Sequence, residues 1–283
     1  MEHAPWKLIR HGNGDIIVDI NGGITADNQR YCPFPSPITH MVLTNQGLLG
    51  TWVDHDLRIA RMALLSVDKL TNGIEKGELR RNKSSTKVAG SSWSHNLDAE
   101  PLAIDSDGER ICFALWTRGI YCIKDDATEL WRSPIVPSDK LPRSQEIAAL
   151  HIKDEILHVW TRGAKHLTMA MSDGEYLSEN QLPIEADIEK VFSDGDEFLL
   201  SSRDGWSWLV SNGDVKIAHQ LRGTIQHAVK DENGKWRIIS WRDDLILGEE
   251  KYTKRDLGVQ IVNKDNTWQV LDNLGNYSPH MGE

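Results

Sequence analysis

Short apolar runs alternate with turn-forming residues along most of the chain. Residues 111–116 and 120–123 are two such runs, and Thr117-Arg118-Gly119 separates them. Asp107-Gly108 precedes the first run, and a third short run lies at residues 129–132. Apolar runs of this length that are bounded by glycine and aspartate are typical of strands joined by hairpin turns. The pattern therefore predicts three consecutive strands over residues 105–132.

The same pattern recurs at intervals of about 40 residues, which is the period of a β-propeller blade. The ends of the second strands align at residues 50–54, 114–118, 158–163, 200–205 and 239–243. The first interval is longer by about 20 residues, and an insertion of polar and basic composition at residues 71–92 explains the excess. Four short strands per repeat predict an all-β propeller.

One repeat resembles a known family. Residues 107–131 resemble the pyrroloquinoline-quinone-dehydrogenase-like repeat, which builds propellers as WD40-like repeats do. The matching residues are Asp107, Gly108, Gly119, Tyr121, Asp125, Thr128 and Trp131. Arg118 replaces the usual Asp before the glycine, Cys122 replaces an Ala, and no Gly follows Thr128. The other repeats match in outline, so the resemblance implies a propeller and no particular cofactor.

The two ends of the chain each contain two further strand patterns. They lie at residues 6–10 and 15–20, and at residues 258–262 and 267–271. A propeller that mixes N- and C-terminal strands in one blade has no open edge there. We therefore expect a single domain over residues 1–283, with six four-stranded blades and a shared closing blade; five or seven blades are the alternatives. Residues 57–67 are interpreted as a strand, with a helix as the alternative.

Composition and charge limit the classes of ligand and partner that the chain is expected to bind. The net charge of −10 argues against nucleic acid and against an anionic membrane surface. The 3 cysteines show neither a disulfide pattern nor the spacing of a zinc site. No signal peptide or membrane-spanning run is recognisable, which favours a cytoplasmic location. We expect no metal and no cofactor, and the oligomeric state stays open.

The turn between the second and third strands of each repeat contains the candidate binding residues. Arginine binds carboxylates with a planar fork and stacks on aromatic rings, so a set of arginines flanked by tryptophans suits an acidic protein or peptide partner. The candidates are Arg118, Arg162, Arg203, Arg242, Trp52, Trp116, Trp160 and Trp241. The alternative interpretation is structural: the arginines pair with neighbouring aspartates and the tryptophans pack between blades.

The sequence supports two hypotheses about function. The favoured one is a non-enzymatic binding module or scaffold for a protein or peptide. The alternative is a hydrolase or lyase acting on a carbohydrate or lactone through carboxylates such as Asp19, Asp54, Asp204 and Asp243. The sequence contains no nucleophile elbow, phosphate-binding loop or dinucleotide fingerprint.

Overall fold

The computed structural model describes residues 3–12, 14–81, 88–134, 143–249 and 251–282. Almost all regular structure in these residues is β-strand, which confirms the predicted all-β class. The chain divides into two compact units. The larger unit contains residues 9–161 and 165–180, and the smaller unit contains residues 1–8, 162–164 and 181–283.

Four four-stranded sheets lie mainly in the larger unit, each with its strands in chain order. Sheet 1 contains β1 (Pro5–His11), β2 (Gly14–Asp19), β3 (Ile24–Ala26) and β4 (Gln29–Tyr31). Sheet 2 contains β5 (Ile38–Thr44), β6 (Gly47–Asp54), β7 (Ile59–Leu65) and β8 (Ser91–Leu97). Sheet 3 contains β9 (Pro101–Ser106), β10 (Arg110–Leu115), β11 (Gly119–Lys124) and β12 (Glu129–Ser133). Sheet 4 contains β13 (Ile147–Lys153), β14 (Ile156–Thr161), β15 (Lys165–Ala170) and β16 (Tyr176–Gln181).

Three sheets lie in the smaller unit. Sheet 5 contains β17 (Ile188–Asp194), β18 (Glu197–Ser202), β19 (Trp206–Ser211) and β20 (Asp214–Gln220). Sheet 6 contains β21 (Ile225–Lys230), β22 (Trp236–Ser240), β23 (Asp243–Ile246) and β24 (Lys251–Thr253). Sheet 7 contains β25 (Gly258–Lys264), β26 (Thr267–Asp272) and β27 (Tyr277–Pro279). The described helices are α1 (Lys76–Arg81) and three 3-10 turns at Val67–Lys69, Arg143–Gln145 and His280–Gly282.

The predicted count of six blades is wrong, because the described strands form seven sheets. The shared closing blade is wrong as well, since β1 and β2 pair with β3 and β4, whereas β25 and β26 pair with β27. β3, β4 and β27 are only three residues long each, too short to show an alternating pattern in the sequence.

The strand interpretation of residues 57–67 is confirmed by β7. The segment at residues 71–92 contains α1 and the start of β8. Its residues 82–87 lie outside the described residues. The interpretation of this segment as an insertion in a single domain stays a prediction.

The second strand of each sheet is buried on both faces. In β10 of the larger unit, Cys112 packs in a cluster with Val159 of sheet 4. Phe113, one residue later, packs in a different cluster with Leu64 of sheet 2. Successive strand residues point to opposite faces, so one strand contributes to two cores. This arrangement explains the continuous apolar runs that mark these strands in the sequence.

A β-bulge recurs near the start of the first strand in six sheets, one of which is sheet 3, where Leu102 is unpaired between Pro101 and Ala103. The other five register shifts fall between Ile38 and His40, Ile147 and Ala149, Ile188 and Lys190, Ile225 and His227, and Gly258 and Gln260. A bulge leaves one residue unpaired and changes the direction of the neighbouring side chain. The residue after the bulge is therefore a fixed reference from which equivalent positions in different sheets are identified.

Candidate binding surface

The strand pairing next to the bulges shows which turn positions are equivalent, and it differs from the alignment made from the sequence. The residue after the bulge pairs with Trp160 in sheet 4, with Ser201 in sheet 5 and with Ile239 in sheet 6. Two residues further on, Arg162, Arg203 and Trp241 are therefore equivalent. The sequence alignment instead matched Trp160 with Trp241, because residue type alone does not fix the register of a strand.

This correction separates the four candidate tryptophans. Trp52 and Trp160 are fully buried, whereas Trp116 is 49% exposed and Trp241 is 51% exposed. In the larger unit, Trp52 lies against Phe34 with 4.6 Å between ring centroids, and Trp160 stacks on His166 at 4.2 Å. Trp52 and Trp160 are thus part of the interior, while Trp116 and Trp241 are available to a ligand.

Three of the four candidate arginines are exposed: Arg118, Arg203 and Arg242. Among the described residues, no carboxylate lies within ion-pairing distance of these three guanidinium groups. Arg162 is only partly exposed, and its Nη1 lies 3.3 Å from Asp187 Oδ1. The structure thus leaves three of the candidate cations open to an external anion.

The aspartates beside these arginines do not neutralise them. Asp243 is buried, its Oδ2 lies 3.3 Å from Arg222 Nε, and its Oδ1 accepts a hydrogen bond of 2.7 Å from Thr253. Asp204 accepts a hydrogen bond from the Ser202 hydroxyl. The expectation that Asp204 and Asp243 pair with their arginine neighbours therefore does not apply to Arg203 or Arg242.

Main-chain hydrogen bonds hold the turns of the smaller unit against the connections between its sheets. The carbonyl oxygen of Trp241 accepts from Gly258 N at 3.1 Å, and that of Arg242 accepts from Lys254 N at 2.7 Å. In the next sheet, Asn273 N donates to Leu257 O at 2.9 Å. These bonds fix the positions of the side chains that project from the turns.

Exposed apolar and cationic side chains share these turns and connections. Leu257 is 37% exposed and Leu274 is 57% exposed. We call Arg203, Trp241, Arg242, Leu257 and Leu274 the turn surface of the smaller unit. In the larger unit, the corresponding turn of sheet 3 exposes Trp116 and Arg118.

The carboxylates of the enzyme hypothesis have local structural roles. Asp19 accepts hydrogen bonds from the backbone N–H groups of Asn21 and Gly23, both at 2.9 Å, and Arg30 Nη2 lies 2.8 Å from its Oδ2. Asp54 accepts from Leu57 N at 3.0 Å. Such bonds stabilise turns.

The described part of the chain contains neither a metal-binding cluster nor a membrane-spanning helix. No group of three or more His, Cys, Asp or Glu side chains there has an arrangement that holds a metal ion. No helix among the described residues is long and apolar enough to cross a membrane.

The residues after the bulges form a set that the sequence analysis missed. In the smaller unit each of their side chains bonds the main chain of the first strand in another sheet. The pairs are Lys190 Nζ with Gln226 O at 3.3 Å, His227 Nδ1 with Ile261 N at 3.4 Å, and Gln260 with Leu8 O at 2.9 Å and Leu8 N at 2.8 Å. In the smaller unit, the signal in the sequence is a polar residue directly before a buried apolar residue of the first strand, as in Lys190-Val191, His227-Ala228 and Gln260-Ile261.

Comparisons with known proteins agree with the sheet architecture. No protein-family model and no curated protein sequence matches the chain. Among solved structures, the WD40 β-propeller domain of Doa1 is similar with a TM-score of 0.69 at 10% identity, over 98% of this chain and 92% of that one. The β-propeller domain of Myceliophteria thermophila Cps50 (Swd1) has a TM-score of 0.65 at 10% identity, over 97% and 95%. The computationally designed Ika8 protein has a TM-score of 0.61 at 9% identity, over 98% and 96%.

The chain has a WD40-like β-propeller fold. The seven sheets are its blades, and the first strand of a propeller blade is the one nearest the central axis. The pyrroloquinoline-quinone-like assignment of the repeat is not confirmed by these neighbours. Identities of 9–10% support the fold alone.

Proposed function

We propose that this propeller is a non-enzymatic binding module, and that its turn surface in the smaller unit binds an acidic peptide segment of a partner protein. The observation that supports the proposal is the exposed Trp241 flanked by Arg242, a guanidinium group with no ion pair among the described residues. Exposed tryptophan and arginine are enriched among the residues that dominate binding energies at interfaces.

The chemistry of the surface selects the kind of peptide. Leu257 and Leu274 provide apolar contact area beside Trp241, and Arg203 and Arg242 provide two guanidinium forks for carboxylates. A charge-assisted hydrogen bond contributes about 1.5–3 kcal/mol when it is shielded from water. A segment with alternating acidic and apolar residues can contact both the guanidinium groups and the apolar side chains. A long polyanion is instead repelled by a protein whose net charge is −10.

The hydrolase or lyase alternative has less support. Asp19 and Asp243 are buried and ion-paired, and Asp54 is buried and caps a turn. A carboxylate used as a general acid or nucleophile has to reach its substrate. The local bonds of these groups favour a structural role.

The proposal is tested with a defined probe. A fluorescent peptide of alternating glutamate and leucine is titrated with the protein, and its anisotropy is compared with that of a lysine–leucine peptide of equal length. We expect the glutamate–leucine peptide to bind and the lysine–leucine peptide not to bind. The double variant Trp241→Ala, Arg242→Ala should weaken its affinity by about tenfold or more, because it removes the aromatic contact and one charge-assisted bond.

The matched control is Lys216→Ala with Ile217→Ala, which removes a cation and an exposed apolar side chain from β20, the fourth strand of sheet 5. If both double variants bind equally well, or if the two peptides bind alike, the turn surface is not the binding site.

A further inference from the structure

Two lysines and a histidine lie at matching positions on first strands, all three within the smaller unit. Lys190 follows the bulge of β17, and His227 occupies the equivalent position in β21. Lys7 lies in β1, one residue before Leu8. These residues lie outside the turn surface and belong to strands near the axis of the propeller.

Hydrogen bonds link the strands that carry these three residues. Lys190 Nζ donates to the carbonyl oxygen of Gln226, the residue directly before His227, at 3.3 Å. His227 Nδ1 accepts from the N–H of Ile261 at 3.4 Å. The side chain of Gln260, next to Ile261, bonds both main-chain groups of Leu8. These bonds connect β17 to β21, β21 to β25 and β25 to β1 at the level of the three residues.

The bond to Ile261 also determines the proton position on His227. A ring nitrogen that accepts a hydrogen bond is unprotonated, so the neutral ring carries its proton on Nε2. No described residue accepts a bond from that Nε2. Burial, with smaller effects from the charges of Lys7 and Lys190, lowers the pKa of His227 to about 4. His227 is thus a neutral donor at physiological pH, beside two cations.

Lys190 retains donor capacity and a local positive charge. The ammonium group has three N–H donors, of which one bonds Gln226. No described carboxylate lies within ion-pairing distance of its Nζ, and burial lowers its pKa although the neighbouring Glu189 acts in the opposite direction. The Glu189 carboxylate accepts a hydrogen bond of 3.2 Å from Thr224.

We propose that Lys7, Lys190 and His227 form a binding site for a tetrahedral oxyanion. Phosphate and sulfate have several acceptor oxygens in different directions, which matches donors that come from three separate strands. The same chemistry is present in inorganic phosphate and in the phosphoryl group of a larger ligand. The site goes beyond the proposed peptide function and does not depend on it.

The first test uses sulfate, whose charge is constant at neutral and mildly acidic pH. Calorimetric titration at constant ionic strength should show saturable binding. Lys190→Gln should weaken it by about tenfold or more, because the substitution removes a charge-assisted bond. The matched control Lys216→Gln removes an exposed lysine from β20, and should leave the affinity unchanged. Equal effects of the two substitutions would indicate general charge screening and overturn the proposal.

A second measurement is independent of these variants. Nuclear magnetic resonance titration of the histidine rings should show that saturating sulfate raises the pKa of His227 from about 4 towards about 6, since a nearby anion favours the imidazolium. By linkage, the sulfate affinity should increase as the pH falls over that range. An unchanged His227 titration in the presence of sulfate would refute the site even if sulfate binds elsewhere.

Two further experiments distinguish a free phosphate ligand from a phosphoryl group on a larger molecule, and the oxyanion proposal from the peptide proposal. Inorganic phosphate and O-phosphoserine are titrated in the same way; perturbation of His227 by either supports the site, and the tighter one identifies the source. Perturbation by neither overturns it. The Trp241→Ala, Arg242→Ala variant should retain sulfate binding, and Lys190→Gln should retain peptide binding, so the failure of one proposal is distinguishable from the failure of the other.

Discussion

Gln260 provides the most direct test of how the N-terminal strand is held in the smaller unit. Its amide donates to Leu8 O at 2.9 Å and accepts from Leu8 N at 2.8 Å, so one side chain replaces a pair of strand hydrogen bonds. Gln260→Ala removes both partners and leaves two partly buried main-chain groups of Leu8 without them. We expect this substitution to destabilise the protein.

The magnitude follows from the two bonds. A net contribution of about 1 kcal/mol for each gives a loss of about 2 kcal/mol in the free energy of unfolding. With an unfolding entropy of about 2.1 cal/mol/K per residue, a chain of 283 residues should lose about 3 °C in Tm. Urea denaturation measures the first quantity and differential scanning calorimetry measures the second.

A matched control is available in the neighbouring strand. Gln269 lies in β26 at intermediate exposure, and its side chain has no hydrogen bond to a described residue. Gln269→Ala should therefore change stability by less than about 0.5 kcal/mol. Hydrogen exchange adds a local measurement, since the Leu8 amide should exchange faster in Gln260→Ala only. Equal stabilities of the two variants, with an unchanged Leu8 exchange rate, would refute the reasoning.

Two further predictions concern backbone geometry and pH. Gly119 has a φ of 102°, and a Cβ at this position would lie 2.2 Å from Ser133 O. Gly195 has a φ of 57°, and a Cβ there would lie in open space. In chemical denaturation, Gly119→Ala should therefore lower the free energy of unfolding by at least about 2 kcal/mol more than Gly195→Ala does. Burial, followed by the charges of His158 and His151, lowers the pKa of His166 to about 4. Because its pKa in the unfolded chain is about 6.5, the unfolded chain binds this proton first, so stability is full above pH of about 6.5 and is lost as the pH falls towards about 4. His166→Gln should reduce this pH dependence in urea melts, and an identical pH dependence in the variant would contradict the assignment.

The sequence by itself determined the local elements of this fold. The apolar runs at residues 111–116 and 120–123 become β10 and β11, because such runs have to be buried and Gly119 permits the backbone conformation between them. The repeat period determined the propeller architecture for the same reason, since each four-stranded unit has apolar faces that only another sheet covers. The turns that expose Arg118, Arg203 and Arg242 were also predictable, because arginine is rarely buried without a partner.

Only the tertiary structure decided the number of blades and the composition of the binding surface. The three-residue strands β3 and β4 carry no periodic signal, and they form because β3 pairs with the edge of β2 and β4 pairs with β3. The register of the strands, set by the bulges, made Trp241 a surface residue and Trp160 an interior one, although both stand at the end of a second strand in the sequence pattern. The ion pair of Asp243 with Arg222, and the hydrogen bond from Lys190 to the carbonyl oxygen of Gln226, depend on contacts between residues far apart in the chain. Local sequence patterns specify which residues form strands, but the partner of a charged side chain is fixed only when separate strands come together.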